Sequence, residues 1–347
     1  MTALLRVDDL CVRFRTMGPI KALATGTQAP FIDAVCGVSF EIRKGETLAL
    51  VGESGSGKST IARTIIGLQR AVSGSISFDG HEIEELSGAE RKPYLRRMAM
   101  MFQDPIGSLS PRLTVRSLLT EPFRIHGLKE RNAGAEAARL LRMVGLPADF
   151  ARRYPHQLSG GQARRVGIAR ALALNPDLII ADEPTAGLDV SVQGEVLNLL
   201  ARLQDELGMA ILIITHNLNV VRHMTDRMAI MYLGRFIEVG STERIFEHPR
   251  HPYTEALLAA NPEPNPDAVL NRIELKGEVP SLMRRPSGCE FHTRCRYAQD
   301  ICSRVFPEPS TSTNDTEHSF RCHFPLERDT AMTLEQRRRP LAGPTQK

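Results

Sequence analysis

The 347-residue sequence has no hydrophobic run long enough to cross a membrane. Its longest apolar runs, such as Ala210 to Ile214, have the length of one strand, whereas a membrane-spanning helix needs about 20 apolar residues. The first residues also lack the apolar core of a signal peptide. We therefore expect a cytosolic chain, with any membrane-spanning part of its machinery supplied by another chain.

A strong excess of one charge is also missing. The formal net charge is only +4, and the basic residues are not gathered into long runs, so we do not expect a nucleic-acid-binding protein. The basic C-terminal sequence EQRRRPLAGPTQK is expected to be a frayed polar end, and a lipid- or RNA-binding tail is the alternative. No internal repeat is found, and the length fits one large domain with a smaller one.

Short apolar runs rich in β-forming residues alternate with helical runs over roughly the first two-thirds of the chain, which predicts an α/β sheet with helices on its faces. The alternation stops between Gln103 and Leu158, where two helix-like stretches predict an inserted helical subdomain at about residues 104–163. Three prolines in residues 261–266 mark a linker, predicted at residues 261–288. A Cys-rich domain at 289–330 and a flexible tail at 331–347 complete the predicted layout.

The sequence GESGSGKST, at residues 52–60, matches the P-loop pattern and lies between an apolar strand and a helix-like run. In such a loop the backbone amides and the helix N-terminus hold the β- and γ-phosphates. Lys58 is expected to neutralise phosphate charge, and the Ser59 hydroxyl is expected to bind Mg²⁺. ATP or GTP is the predicted ligand, and the nucleotide-binding residues in the loop are Gly52, Ser54, Gly55, Ser56, Gly57, Lys58, Ser59 and Thr60.

Polar side chains end three further apolar runs. Asp182 and Glu183 close the buried run LIIADE, where Asp182 is expected to orient Mg²⁺ and Glu183 to act as the general base that polarises the attacking water. His216 closes AILIITH and could reach the γ-phosphate or the water, although a strand-end histidine alone is more often structural. Gln103 closes RRMAMMFQ and is similarly placed to contact Mg²⁺.

A second glycine-bearing helix start, LSGGQ at residues 158–162, has no lysine after its glycines. Ser159, Gly160 and Gly161 leave backbone N–H groups uncrowded, and helical apolar spacing follows from Ala163 to Leu174. These amides would point outward at positive potential, which predicts an anion site. Because the chain already has a loop for its own nucleotide, the residues alone leave open whose phosphate this segment binds.

Four of the six cysteines crowd into one C-terminal stretch, with five, six and nineteen residues between successive members: Cys289, Cys295, Cys302 and Cys322. Disulfides are not expected in a cytosolic protein, so the crowding indicates a metal or cluster. The spacing is looser than the CxxC pairs of zinc ribbons and fits a 4Fe–4S cluster at least as well. A zinc site that includes His292, His318 or His323, and four reduced buried thiols, are the alternatives. Cys11 and Cys36 are predicted to be core residues of strands.

Taken together and in this order, the P-loop, Gln103, LSGGQ, Asp182 with Glu183, AGLD and His216 resemble the ATPase subunit of ATP-binding cassette (ABC) transporters. The resemblance covers roughly Leu4 to Ala260. It implies a P-loop NTPase core with an N-terminal antiparallel β subdomain, an inserted α-helical subdomain and a small Cys-rich C-terminal extension.

The resemblance also implies a site shared between two subunits. The signature segment of one subunit covers the γ-phosphate held by the P-loop of the other, and the residues that would do so are Ser159, Gly160, Gly161 and Gln162. Asp189, in the AGLD segment, would lie where the two sites communicate. An aromatic side chain near the N-terminus would stack on adenine; Phe14 matches by position, and Phe31 is its rival.

Three longer stretches are similar to the ATPases of bacterial oligopeptide and dipeptide importers: QDPIGSLSPRLTV, ARALALNPDLIIADEPTAGLDVSVQGEVLNLL and HPYTEALLAANP. This similarity implies a peripheral protein on the cytoplasmic face of the cell membrane. Its partners would be a homologous ATPase subunit in a homo- or heterodimer, two transmembrane permease subunits and, indirectly, an extracytoplasmic substrate-binding protein. It also implies a 4Fe–4S cluster on the four C-terminal cysteines.

Two departures from the family pattern are present, because the chain has AGLD where SALD is common and Asn217 where aspartate is usual. Neither removes a catalytic group, so ATP hydrolysis is expected. The expected function is ATP-driven peptide import. The alternatives are the same role for a nickel chelate or glutathione, or a soluble non-transport ABC ATPase.

Overall fold

The computed structural model describes residues 3–16, 31–104, 107–128, 132–261, 273, 275, 277–312 and 315–326. The tail predicted at residues 331–347 and part of the predicted linker lie outside these ranges. Within them, no helix is both long enough and apolar enough to span a bilayer.

Two sheets form the framework of the described part of the chain. The strands are β1 (Ala3–Arg15), β2 (Phe31–Arg43), β3 (Thr47–Val51), β4 (Ser73–Phe78), β5 (His81–Glu82), β6 (Met98–Met101), β7 (Leu178–Asp182), β8 (Ala210–Thr215), β9 (Arg227–Tyr232), β10 (Arg235–Ser241), β11 (Ser310–Ser312) and β12 (Asp315–Phe320). One sheet is antiparallel, with the order β2-β1-β4-β5, and the larger sheet has the order β11-β12-β10-β9-β3-β8-β7-β6. Strands β9, β3, β8, β7 and β6 run parallel, which confirms the predicted α/β core.

Helices connect these strands. The α-helices are α1 (Lys58–Ile65), α2 (Gly88–Arg96), α3 (Val115–Ile125), α4 (Ala133–Met143), α5 (Gly160–Ala171), α6 (Val190–Leu207), α7 (Leu218–Met224), α8 (Thr242–Glu247) and α9 (Pro252–Ala259). Short 3₁₀ segments lie at Ala148–Arg152, Pro155–Gln157, Leu172–Leu174, Leu282–Arg284 and Asp300–Ser303.

Strand β7 separates two hydrophobic cores. Because side chains alternate along a strand, Ile179 and Ala181 face a core shared with α3 to α6, whereas Leu178 and Ile180 face a core shared with the antiparallel sheet. Every residue of β7 is buried. Burial on both faces explains why this strand is a continuous apolar run instead of an alternating one.

The interval between β6 and β7 contains α3, α4 and α5 and, among its described residues, no strand. Thr114 caps α3 by accepting a hydrogen bond from the backbone N–H of Ser117, and Asn132 caps α4 in the same way. The apolar faces of both helices pack into the core that also contains Ile179. The helical insertion therefore rests directly on the sheet.

Beyond residue 277 the chain returns to the larger sheet. Strand β12 pairs antiparallel with β10, and Phe320 lies opposite Glu238 in the register. Phe291, within the Cys-rich segment, is buried in a third core together with Val51 of β3 and Tyr253 of α9. The Cys-rich segment therefore shares a sheet and a core with the strand that leads into the P-loop.

Candidate functional site

The P-loop connects β3 to α1 and requires glycine at two crowded positions. At Gly57, the N-cap of α1, φ is 107°, and an added Cβ would lie 2.5 Å from the carbonyl oxygen of Ala34. An added Cβ at Gly52 would lie 2.3 Å from the carbonyl oxygen of Met231. The loop is therefore packed tightly between β2 and β9, and only glycine lets the backbone turn there.

Lys58 points into this loop. Its Nζ donates to the carbonyl oxygens of Gly52 and Glu53, both at 2.8 Å, and to Ser56 Oγ at 3.2 Å. Burial lowers the pKa of Lys58, and the neighbouring carboxylates, Glu183 foremost, act in the opposite direction. The amine is therefore positioned at the centre of the loop, with neutral oxygens as its partners.

Asp182 and Ser59 form the predicted magnesium pair. Asp182 ends β7 and is 5% exposed. Burial raises the pKa of its carboxyl group, and a hydrogen bond with the Ser59 side chain acts in the opposite direction. A buried carboxylate beside a hydroxyl supplies the hard oxygen ligands that Mg²⁺ prefers, so these residues fit that ion.

Glu183 is held between the other two predicted catalytic residues. Gln103 Nε2 donates to Glu183 Oε2 at 2.9 Å, and His216 Nδ1 lies 2.9 Å from Oε1. The three residues follow β6, β7 and β8, which are adjacent parallel strands, so their carboxyl ends meet at one edge of the sheet. Glu183 has φ of 48°, an unusual value for a residue with a side chain, and such values cluster at functional sites.

The signature segment begins α5. Ser159 is the N-cap: its Oγ accepts from the Gln162 backbone N–H at 3.3 Å, and Gln162 Oε1 accepts from the Ser159 N–H at 3.1 Å. Gly160 and Gly161 form the first turn. An added Cβ at Gly161 would lie 3.0 Å from Cγ1 of Val192 on α6. This end of α5 is therefore fixed by its own capping box and by close packing on α6.

The AGLD segment is tied to the same helix by a residue that the sequence reasoning missed. Arg164 of α5 is 2% exposed, and its Nη2 donates to the carbonyl oxygen of Ala186 at 2.7 Å. Asp189 caps α6 by accepting from the Val192 N–H at 2.9 Å, and this bond and that from Ser191 lower the pKa of its carboxyl group. The only sequence signal for Arg164 is an arginine within a helical apolar run.

Phe14 and Phe31 lie at the end of the β1–β2 hairpin, and both are partly exposed. In the register Phe14 is opposite Ile32, whereas Phe31 is opposite Arg15, the neighbour of Phe14. Because directly opposed residues share a face of a sheet and neighbours alternate, the two phenylalanines point to opposite faces. The register therefore allows only one of them to face a nucleotide.

The four C-terminal cysteines line a single pocket, so the structure brings them together. Burial raises the pKa of Cys289 to about 11 and that of Cys322 to about 12, and the neighbouring cysteines add to this effect. His292 and His323 also line this pocket, but His318 does not; its imidazole is fully buried beside Glu238.

Among the described residues, no three His, Cys, Asp or Glu side chains are arranged to hold one metal ion. The common pocket of four thiols nevertheless has the ligand set that a 4Fe–4S cluster requires.

Two protein-family models match the sequence. The model of the ABC transporter family matches residues 35–186, and that of the oligopeptide/dipeptide transporter C-terminal region matches residues 237–302. The second match extends into the Cys-rich segment and includes three of its four cysteines.

Curated relatives cover most of the chain. The oligopeptide transport ATP-binding protein AppF of Bacillus subtilis (strain 168) is 48% identical over 299 residues, which is 84% of this chain and 90% of that protein. The probable peptide ABC transporter ATP-binding protein y4tS of Sinorhizobium fredii is 48% identical over 306 residues, 88% of this chain and 86% of that protein.

Solved structures share the fold. A dimeric structure of MJ0796, a bacterial ABC transporter cassette, has a TM-score of 0.60 at 30% identity and covers 69% of this chain and 98% of its own. A dimeric structure of a post-hydrolysis state of the same cassette, bound to ADP and Pi, matches equally well. With these matches and 48% identity to AppF, the chain belongs to the ABC transporter family, among the ATP-binding proteins of oligopeptide/dipeptide transporters.

Proposed function

We propose that this chain is the subunit that powers the import of di- and oligopeptides through a membrane permease by hydrolysing ATP. As a member of the ABC ATPase family it is an ATPase, and the names of its relatives support peptides as the cargo. The proposal rests on one observation: the two carboxylate oxygens of Glu183 contact Gln103 and His216, one each.

Glu183 is the proposed general base. Its carboxylate is mostly buried, and each of its oxygens is held by one partner, so its orientation is fixed before a nucleotide binds. Each carboxylate oxygen keeps a second lone pair, which can accept a proton from a water molecule that attacks the γ-phosphate. His216 and Gln103 orient the base in this mechanism.

Lys58 and the loop amides hold the triphosphate in the proposed mechanism. Lys58 Nζ now donates to neutral oxygens of its own loop, and phosphate oxygens are stronger acceptors because they are charged. Ser59, Asp182 and Gln103 would hold Mg²⁺, which neutralises charge on the β- and γ-phosphates when it is bound. The binding residues in the loop remain those predicted from the sequence.

The signature residues Ser159 to Gln162 are proposed to cover the γ-phosphate of a partner ATPase subunit. The dimeric state of the MJ0796 cassette supports this arrangement. As the family resemblance implies, Asp189 would lie where the two sites communicate; it ends the turn that Arg164 ties to α5. In the proposed complex the ATPase subunits lie on the cytoplasmic face of the membrane and bind two transmembrane permease subunits, which receive substrate from an extracytoplasmic binding protein.

The four pocket cysteines are proposed to hold a 4Fe–4S cluster, with zinc as the alternative. A cubane held by four thiolates requires about four irons per chain, so anaerobically purified protein should be brown. A Cys302→Ser variant should lose most of this iron. Colourless protein with one zinc per chain would contradict the cluster.

Glu183→Gln tests the catalytic proposal. The amide keeps the shape of the side chain but cannot accept a proton, so turnover should fall by about 10²-fold or more while ATP still binds. Phosphate release measures turnover, and size-exclusion chromatography with ATP should show a trapped dimer. Glu206→Gln is the matched control, because Glu206 is exposed and, among the described residues, its ion pair is with Arg202 on the same helix. Unchanged turnover in Glu183→Gln would remove Glu183 from the role of base.

A further inference from the structure

The Cys-rich segment reaches the P-loop through one ion pair. Arg294 Nη1 donates to both carboxylate oxygens of Glu53, at 3.2 and 3.0 Å, and its Nη2 donates to Oε1 at 3.2 Å. The Arg294 side chain is 8% exposed and that of Glu53 is 25% exposed. A guanidinium that contacts both oxygens of a carboxylate in a largely buried place fixes its direction as well as its charge.

Glu53 is part of the proposed nucleotide-binding loop and is held on three sides. Its carbonyl oxygen accepts from Lys58 Nζ, its backbone N–H donates to the hydroxyl of Tyr253 at 3.2 Å, and its carboxylate is held by Arg294. Glu53 therefore connects the phosphate-binding lysine with the C-terminal part of the chain. A shift of the Glu53 side chain would change the position of its carbonyl oxygen, which accepts the hydrogen bond from Lys58.

Arg294 is itself fixed by the cysteine pocket. Its backbone N–H donates to the carbonyl oxygen of Phe291 at 3.0 Å, and its neighbour in sequence is Cys295. Phe291 and Cys295 both line the pocket. The Phe291 ring also packs edge-on against Tyr253, with ring centroids 5.3 Å apart. A rearrangement of the pocket would therefore move both Arg294 and Tyr253, the two residues of the C-terminal part of the chain that contact Glu53.

We propose that Arg294 is a positioning residue for the P-loop, through which the state of the cysteine pocket alters nucleotide affinity. The proposal rests on the proposed function only in taking this loop as the ATP site. Arg294 neutralises a carboxylate that stands within a phosphate-binding loop. Without Arg294, the negative charge of Glu53 would repel the triphosphate, and the loop would lose the ion pair that fixes the Glu53 side chain.

The first test measures the affinity of the whole chain for ATP by calorimetry. Arg294→Ala should bind ATP roughly tenfold more weakly than the unaltered chain. Arg294→Lys keeps the positive charge but loses the two-nitrogen contact of the guanidinium with the carboxylate, so its affinity should lie between those of Arg294→Ala and the unaltered chain. Adding Glu53→Gln to Arg294→Ala should restore part of the affinity, because the repelling charge is removed. Turnover at saturating ATP should change little, which separates positioning from catalysis.

Arg296→Gln is the matched control. Arg296 lies on the other side of Cys295, but its described partners are Glu255 and the hydroxyl of Tyr297, and neither belongs to the P-loop. This variant should bind ATP as the unaltered chain does. Equal affinity in the unaltered chain and Arg294→Ala would overturn the proposal, as would Glu53→Gln giving no recovery. If the unaltered chain itself fails to bind ATP, the proposed function fails instead.

The second test addresses the link to the cysteines. Cys295→Ser should weaken ATP binding in the unaltered background and have no further effect in Arg294→Ala, because both changes break the same connection. Equal losses in the two backgrounds would show that Arg294 does not transmit the change. No loss in the unaltered background would overturn the link to the pocket. Circular dichroism would establish that each variant is folded.

Discussion

The imidazole Nε2 of His318 lies 2.8 Å from Oε1 of Glu238, and both side chains are fully buried. His318 belongs to β12 and Glu238 to β10, so this contact joins two neighbouring strands of the larger sheet. Glu238 also accepts from the backbone N–H groups of Arg250 and His251, at 2.7 and 2.9 Å. One buried carboxylate therefore satisfies donors from two separate parts of the chain.

Replacing Glu238 by alanine should strongly destabilise the protein. The change leaves two buried N–H groups and an imidazole without their acceptor, and breaking a buried pair on one side costs about 3–5 kcal/mol. Urea unfolding followed by circular dichroism measures the loss. Glu243→Ala is the control, since Glu243 is exposed on α8, and it should change the stability by about 0.5 kcal/mol or less. Equal stability of the two variants would contradict this account.

His251 should make the fold sensitive to acid. Burial lowers its pKa to about 3, from 6.5, so below pH 6.5 the unfolded chain binds a proton that the folded chain does not. Stability should therefore fall as the pH drops from 6.5 towards 3, by up to about 1.4 kcal/mol per pH unit from this group.

The His251→Asn variant isolates that contribution. The Nδ1 atom of His251 accepts from the Tyr253 N–H at 3.0 Å, and an asparagine oxygen can take over this cap. The variant should lose less stability than the unaltered chain between pH 7 and pH 5 in urea titrations. Identical pH dependence in both proteins would show that His251 is not the group responsible.

His216→Ala should reduce turnover by about 10²-fold and leave ATP affinity largely intact, because the described contact of His216 is with Glu183 and not with the loop proposed to bind the phosphates. Steady-state kinetics and calorimetry measure the two quantities. Asn217→Asp is the control: Asn217 caps α7 through its side-chain oxygen, which aspartate also has. A large loss of affinity in His216→Ala would contradict the assigned role.

Ser159→Arg should abolish hydrolysis without weakening the binding of ATP to an isolated subunit. The signature segment is proposed to act on the nucleotide of the partner, so the P-loop of the same chain is unaffected. Lys58→Ala is the contrasting variant and should weaken binding itself, since Lys58 lies inside the loop. Equal weakening by both changes in a monomeric preparation would show that the signature acts within one chain.

The meeting of Gln103, Glu183 and His216 could be anticipated because each follows an apolar run. Parallel strands place their carboxyl ends at one edge, so strand-end residues converge without knowledge of the loops. The sequence did not reveal the strand order, which makes β6, β7 and β8 neighbours. The local sequence pattern was therefore sufficient to predict that these three side chains meet, and it was insufficient to predict the order of the strands; their catalytic roles stay a prediction.

Contacts between distant residues escaped the sequence analysis. Glu53 and Arg294 are 241 residues apart, and neither belongs to a motif that names the other. The burial of Glu238 could not be predicted for a related reason. A glutamate in a strand is usually exposed, and its burial depends on partners that only the fold supplies. The division into domains at residues 1–260 and 289–330 stays a prediction.

The addition of β12 to β10 has a consequence for shortened chains. A protein that ends before residue 310 would leave the backbone N–H and C=O groups of β10 unpaired along the rim of the larger sheet. An unpaired edge strand of this kind can pair with a strand of another molecule, so truncation would favour self-association and precipitation. Strands β11 and β12 thus cover the edge of β10 that a shortened chain would expose.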